Sequence, residues 1–344
     1  MSAPENGIFL DIETTGLSRK NCHAYLIGTL RKSDAGYLMR IFLAAGPSEE
    51  KDLLLAATEY MGDFSPIVTF NGERFDLPFL KARCDLYGID FSPEKTFDLL
   101  TVLSPIKSLL PLNDLRLSTL EEFLGISRTD STSGKELIDV YNNYSKECRP
   151  ELEDRLILHN SEDLLGLPGI LPLLYYPRLF AYPPQEVRAD IKTYMNYNGQ
   201  PKKELLLSFP VSYALPRPCL MHTGPLFLHA WNQNAVLRIP VFQGEMKHFF
   251  PNYKDYYYLP NEDRAVHKSV GAFVDSGRRE RATAQNCYTK IQGDFIPQPG
   301  ELFTPVFFKE YNARNRYLRL TDERLEDKSF LSSYTFSWLQ AMKS

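Results

Sequence analysis

Gly7-Ile8-Phe9-Leu10-Asp11-Ile12-Glu13-Thr14-Thr15-Gly16-Leu17 opens on an almost unbroken apolar run and closes on two hydroxyls and a glycine. The run suits a buried strand, and Thr14, Thr15 and Gly16 turn the chain at its C-terminal end. Successive side chains of a strand leave opposite faces, so Asp11 and Glu13, two apart, leave the same one. Two ionised carboxylates brought to one point repel each other. The ordinary remedy is a divalent cation that takes oxygen ligands, Mg²⁺ or Mn²⁺. An isolated Asp-x-Glu pair is more often a solvated strand end, but the apolar run before this one and the turn after it argue against exposure.

Outward from this stretch, Tyr25 to Arg31 and Tyr37 to Ala44 read as two further strands joined by a turn at Asp34-Ala35-Gly36, which makes a three-stranded meander. Helical apolar spacing follows over 49–62, a short strand over 66–70, a helix over 76–87 and a strand over 96–103. Strands that alternate with helices make a sheet parallel. Beyond Pro105 the pattern is helical. Ser118 with Glu121 three residues on is a capping-box signature for a helix to Leu124, and Glu151 to Leu165 is a further helix. The fold class expected for residues 1–177 is therefore α/β, a mixed five-stranded sheet flanked by helices in the RNase H-like order.

Two more clusters carry chemistry. Val68 to Asp76 is a strand that leads through Asn71-Gly72 to an aspartate at a helix start. Asp76 alone would be read as a helix N-cap and Asn71 as a turn residue. His159-Asn160-Ser161-Glu162-Asp163 lies on a helix, where a spacing of four puts His159 and Asp163 on one face. Such pairs are commonly surface hydrogen-bond partners. The three clusters together describe something more specific, because two divalent ions roughly 4 Å apart can activate a water on one side of a phosphodiester and stabilise the leaving oxygen on the other. Four carboxylates can hold two ions. An imidazole can accept the proton of the attacking water, a role worth ~10² to 10⁴ in rate, and His159 is the candidate. Asp98, at a strand end, is a fifth acid for which a cap or turn contact is the simpler role.

The motifs resemble those of the DEDD exonuclease superfamily. Phe9 to Leu17 is similar to its first motif, Phe70 to Asp76 to its second and His159 to Asp163 to its third, in the same order. Within that superfamily the likeness is to the YprB-like, ribonuclease H-like proteins, through Tyr25-Leu26-Ile27-Gly28, Phe97-Asp98-Leu99-Leu100, Leu120 to Ile126, and His159-Asn160 with Asp163. The resemblance covers about residues 7–174. It implies that Asp11, Glu13, Asp76 and Asp163 are metal ligands for two Mg²⁺ or Mn²⁺ ions. It also implies that His159 is the proton acceptor, and that Thr14, Asn71 and Asn160 contact substrate. His-type members space the histidine and the last aspartate by five residues. Here the interval is four, as in members that use tyrosine, and one residue turns a helical side chain by roughly 100°, so His159 is expected either to approach the water from a different angle or only to position it. The implied activity is that of a metal-dependent nuclease hydrolysing DNA or RNA, a 3′ to 5′ exonuclease on a single-stranded end. The alternatives are a catalytically weak binding or scaffold protein and an RNase H-type, structure-specific endonuclease.

Composition sets the frame for the rest. With 344 residues, 43% hydrophobic and 24% charged, the chain can bury more than one core. Cys22, Cys84, Cys148, Cys219 and Cys287 are odd in number and never form a CxxC pair, which argues against a disulfide framework and a thiolate zinc site and fits a reducing cytoplasm. The longest uncharged stretch, Leu164 to Pro177, is short for a membrane span and interrupted by Pro168 and Pro172, so neither export nor membrane insertion is expected. The net charge of -4 hides an asymmetry. Residues 1–174 carry 17 Lys+Arg against 27 Asp+Glu, and residues 175–344 carry 22 against 16. Of 44 aromatics, 29 lie in the second half, which suits either a β-rich core or a surface that stacks bases of a polyanion.

Pro172, Pro177, Pro183 and Pro184 place a boundary near residue 178. Residues 178–344 are expected to form a second, β-rich (α+β) domain, from short runs at Leu205 to Tyr213, Leu226 to Trp231 and Val236 to Phe242, a turn at Asn232-Gln233-Asn234, and a helical end over 318–343. Basic residues interleave with aromatics over 245–290. These either grip a nucleic-acid strand or divide between core and solvent, and the pattern favours neither.

Overall fold

The computed structural model describes residues 6–130 and 132–343. Contacts divide the chain into two compact units, Met1–Pro177 and Arg178–Ser344. Among the described residues of the first unit are strands β1 (Ile8–Thr14), β2 (Ala24–Ser33) and β3 (Gly36–Leu43), then helix α1 (Glu50–Met61), β4 (Ile67–Thr69) and helix α2 (Asp76–Tyr87). β5 (Thr96–Asp98) and helices α3 (Leu99–Leu103), α4 (Leu117–Leu124), α5 (Gly134–Glu147), α6 (Pro150–Ile170) and α7 (Tyr175–Arg178) follow. The sheet order is β3-β2-β1-β4-β5. The β1–β2 and β2–β3 pairs are antiparallel, and the β1–β4 and β4–β5 pairs are parallel. This is the mixed five-stranded sheet flanked by helices that the sequence implies.

Period-two alternation in β1 decides what each face of the sheet does. Ile8, Leu10 and Ile12 pack with Leu54, Ala57, Phe79 and Leu80 of α1 and α2 in one buried cluster. On the other face Tyr25 and Leu26 of β2 pack with Leu137, Val140, Tyr141 and Leu156 of α5 and α6. The Tyr25 and Tyr141 rings stack at 3.9 Å. Each such aliphatic side chain removed from water stabilises the fold by ~1.5–3 kcal/mol, so the register of β1 is set firmly. A one-residue slip would bury Asp11 and Glu13 among the residues of α1 and α2.

Two expectations for this unit need correction. The strand foreseen over 96–103 ends at Asp98, whose carboxylate accepts the Thr101 N–H at 3.2 Å and caps α3. Leu99 and Leu103, four apart, are then both fully buried on one helix face. Ser118 does not cap α4, which starts at Leu117 after Arg116. Glu121 is buried and taken by an ion pair with Arg128, and a capping box is found instead at Ser133 and Glu136, ahead of α5.

Among the described residues of the second unit, β6 (Arg188–Met195), β7 (Pro201–Thr223), β8 (Leu226–Phe249), β12 (Tyr288–Gln298) and β13 (Arg316–Arg319) form an antiparallel sheet in the order β13-β12-β8-β7-β6. β9 (Tyr256–Leu259), β10 (Arg264–His267) and β11 (Glu280–Arg281) form a smaller sheet. Short helices α8 (Lys268–Gly271) and α9 (Asp322–Glu326) precede the long α10 (Lys328–Lys343). The separate runs foreseen over 205–242 are in fact parts of one long hairpin. Pro210, Pro216 and Pro218 break the sequence pattern, and they fall where the β7–β8 register shifts, between Pro210 and Leu215 and between Leu215 and Cys219. A residue without an N–H is tolerated at such irregularities. Asn232 has φ +49° inside β8 and is not a turn. The chain reverses at Gly224, where φ is +56°. The last stretch begins as strand β13 before it becomes helical. All five cysteines are free, and no described helix is long and apolar enough to cross a membrane.

Candidate active site

Leu10 and Ile12 of β1 belong to the α1 and α2 core, and Asp11 and Glu13 alternate away from it, toward α6. That facing helix supplies His159, Asn160 and Asp163 from two successive turns. Asp76 opens α2, and its Oδ1 accepts the Ile12 N–H at 3.2 Å, which ties the second motif to the first. The N-cap of α2 is Phe75, so Asp76 is not a capping residue.

Glu13, His159 and Asp163 each offer a ligand atom within 4.8 Å of the others. His159 Nε2 lies 3.6 Å from Glu13 Oε1 and 3.7 Å from Asp163 Oδ2. The four-residue interval therefore does not turn the imidazole away. Its other nitrogen, Nδ1, is 2.5 Å from Asp130 Oδ2. Asp11 and Asp163 line one cleft of about 480 Å³ with Phe70, Asn71, Leu100 and Arg116.

The electrostatics fit an unneutralised acid cluster. Burial, followed by the charges of Asp163, Glu13 and Asp76, holds the Asp11 carboxyl well above its usual range, against a partial offset from Asn160. Burial, then Asp163, Asp76 and Asp130, pushes Glu13 up to about 8. Asp76 is pushed up to about 7, chiefly by burial, although the N–H groups of Asp76 and Ile12 work the other way. Carboxylates in this state favour a proton or a cation, and these oxygen donors fit a divalent ion.

Asn160 and Thr14, expected to touch substrate, do something else. Asn160 is fully buried, and its Nδ2 donates to Asp11 Oδ2 at 2.7 Å. It holds a carboxylate and has no exposed surface. Gly28, directly opposite Asp11 in the β1–β2 ladder, makes room for it, since a Cβ there would lie 1.8 Å from Asn160 Oδ1. Thr14 is buried, and its hydroxyl donates to the Gly16 carbonyl. Asn71 does line the cleft, at φ +64°. Asp98 acts as a brace beside the acid cluster: its charge adds to the rise that burial gives Asp76, and it accepts the N–H groups of Asn71 and Glu73 at 3.1 and 3.0 Å, fixing the turn that delivers Asp76.

Sequence reading missed Asp130 and Arg128. Asp130 is held below the usual carboxylate range: burial opposes this, but hydrogen bonds from Thr132 and His159 outweigh it. Arg128 Nη1 sits 2.5 Å from Asp163 Oδ1, and its Nε pairs with the buried Glu121. Both residues follow α4 in an irregular segment with no periodicity to mark them. The available signal was Glu121, a carboxylate on the apolar face of Leu120 to Ile126 that needed a cation.

With this geometry established, the relatives are informative. Residues 8–175 match the RNase_H_2 family model of the RNase H superfamily. The uncharacterized protein YprB of Bacillus subtilis is 29% identical over 166 residues, which is 47% of this chain and 40% of YprB. A DNA polymerase of Methanocaldococcus jannaschii is 44% identical over 43 residues, 12% of this chain and 3% of the polymerase. The chain thus spans well under two thirds of these relatives' lengths. Among solved structures, the family B DNA polymerase of Pyrobaculum calidifontis aligns with a TM-score of 0.40 at 16% identity, covering 50% of this chain and 25% of the polymerase. Residues 8–175, the unit that holds the acid cluster, are thus similar to the RNase H superfamily, and the fold they form is RNase H-like.

Proposed function

We propose that the protein is a divalent-metal-dependent nuclease that hydrolyses phosphodiester bonds of a single-stranded DNA or RNA end from 3′ to 5′. The observation that carries this reading is the convergence of Glu13, Asp163 and the His159–Asp130 pair beside Asp11 and Asp76. Asp11, Glu13, Asp76 and Asp163 are the residues that would hold two Mg²⁺ or Mn²⁺ ions. Bound there, the ions would lower the pKa of a water and stabilise the leaving oxygen. The protein's own groups do the rest. Asn160 orients Asp11. Asp130, a carboxylate that can only accept, makes Nδ1 the protonated nitrogen of His159 and leaves the Nε2 lone pair facing Glu13 and Asp163. Nε2 is therefore the atom that takes the water's proton.

The test is degradation of a 5′-labelled single-stranded oligonucleotide with Mn²⁺. A ladder shortening from the 3′ end, lost in Asp11→Ala and in Asp163→Ala, is expected. Equal activity in both variants sinks the assignment, and cutting of a closed circle shows an endonuclease of the RNase H type. One observation favours a catalytically weak binding protein, namely Arg128 occupying Asp163 Oδ1. Titration calorimetry that detects no Mn²⁺ binding at neutral pH would decide for it.

A further inference from the structure

Part of the basic and aromatic segment over 245–290 is satisfied internally. The Tyr258 and Tyr288 hydroxyls and Lys290 all converge on Asp263, Phe250 stacks on Tyr256, and Lys247 pairs with Glu310. Further cations of the second unit, unpaired among the described residues, line a concave surface outside that segment. One cavity of about 590 Å³ has apolar walls that include Leu226, Val241 and Trp338, with Lys202, Lys309 and Arg314 at its sides. A second, of about 660 Å³, holds Phe249, Phe308 and Tyr311. Arg314 and Arg316 line both, so the two cavities adjoin as parts of one grooved surface.

Charge and exposure identify what this groove can take. Lys202, Lys309 and Arg314 are exposed, and none forms an ion pair among the described residues. Glu301 is the carboxylate lining the groove, and Arg316 neutralises it at 3.0 Å. Lys309 Nζ lies 4.3 Å from the Phe242 ring centre, so a cation sits over an aromatic face inside the groove. Tyr311 is 39% exposed and packs 5.4 Å from Phe249, which leaves an aromatic surface open at the second cavity. Spare cations beside the open Tyr311 ring and apolar walls match a polyanion whose units each carry a flat ring. They match neither a simple anion nor an apolar ligand.

The geometry points to this groove as a binding site for single-stranded nucleic acid, with bases against Tyr311 and the apolar walls and phosphates on Lys202, Lys309 and Arg314. The choice of nucleic acid over another aromatic polyanion rests on the nuclease reading above. The test uses the full chain carrying Asp11→Ala, in EDTA, and a fluorescein-labelled oligothymidylate of about ten nucleotides followed by anisotropy. Tyr311→Ala is expected to weaken binding about 5- to 100-fold. Arg314→Glu and Lys309→Glu should weaken it at least as much, each lowering the slope of log affinity against log salt by about 0.7. Lys254→Glu, on an exposed cation outside the groove, should leave affinity within about two-fold at fixed salt.

Wild-type affinity in Tyr311→Ala and Arg314→Glu, with circular dichroism showing all variants folded, overturns the site. So does equal loss in Lys254→Glu, or competition by polyglutamate as effective as that by unlabelled oligothymidylate. Hydrolysis of a chromogenic thymidine phosphodiester, too short to need the groove, separates the two readings. Groove variants of the otherwise wild-type chain that keep this activity while losing strand binding support the site. Absence of hydrolysis in the wild type counts against the nuclease alone, and the anisotropy still decides the groove.

Discussion

The decisive contact at the scale of single residues is the one between Asp130 and His159, because it determines which imidazole nitrogen can accept a proton. Asp130→Asn places an amide beside Nδ1. That amide can donate as well as accept and so permits the tautomer in which Nε2 carries the hydrogen. Turnover with Mn²⁺ is expected to fall by about 10² or more, with the His159→Gln variant lower by ~10² to 10⁴. Titration calorimetry distinguishes a base from a ligand here. Unchanged Mn²⁺ affinity in both variants fits a base, whereas affinity lost in parallel with activity would show His159 binding metal. A second residue-scale prediction concerns Gly28. Its missing Cβ leaves the space that Asn160 Oδ1 occupies. Gly28→Ala must push Asn160, and with it Asp11, out of place. A stability loss of ~1–3 kcal/mol in denaturant melts is expected together with loss of nuclease activity. A fully active, unperturbed Gly28→Ala protein would show that Asn160 does not position Asp11.

At the scale of elements, α6 brings His159, Asn160 and Asp163 to β1, and the α4 segment brings a cation to α6 through Glu121 and Arg128. Glu121 is buried, so removing Arg128 alone leaves an unpaired charge in the interior. Arg128→Met is expected to cost about 3–5 kcal/mol in chemical denaturation. Adding Glu121→Leu should recover most of that loss and, with Asp163 no longer paired to a cation, tighten Mn²⁺ binding. Binding that stays weak in the double variant would mean that Arg128 does not compete with metal for Asp163. Elements with one dominant periodicity were legible in the sequence: the alternation of β1 and the helical spacing of α1 and α2 follow from which face each residue buries. What the sequence concealed depended on partners far along the chain. Glu121 reads as a cap partner until Arg128 claims it. Asp98 ends a strand that β propensity alone would extend to Leu103. The β7–β8 hairpin looks like short runs because prolines interrupt it where the ladder shifts. Asp130 carries no local signal at all, since only the fold brings it to His159.

At the scale of the whole molecule, the acid cluster links folding, metal and pH. Glu13 is pushed from 4.5 to about 8 and Asp76 from 3.8 to about 7. In the metal-free fold these groups hold protons that the unfolded chain has already released, so between about pH 4 and 8 the native state binds more protons. The slope of unfolding free energy with pH is then negative from this source, and the fold loses stability as pH rises through that window. A divalent cation held as proposed would bind the deprotonated carboxylates and displace those protons, so its affinity is expected to rise over the same window. Ligand-linked stabilisation grows with the ratio of free ion to dissociation constant. Scanning calorimetry at fixed Mn²⁺ is therefore expected to show a larger rise in transition temperature at pH 8 than at pH 6. The metal-free Glu13→Gln variant, which never carries that charge, should be more stable than wild type at pH 8 and should lose most of the Mn²⁺-induced rise. Equal rises at the two pH values, or a Glu13→Gln protein that still gains the full increment, would show that the metal bound by this chain is not held by the buried carboxylates of β1.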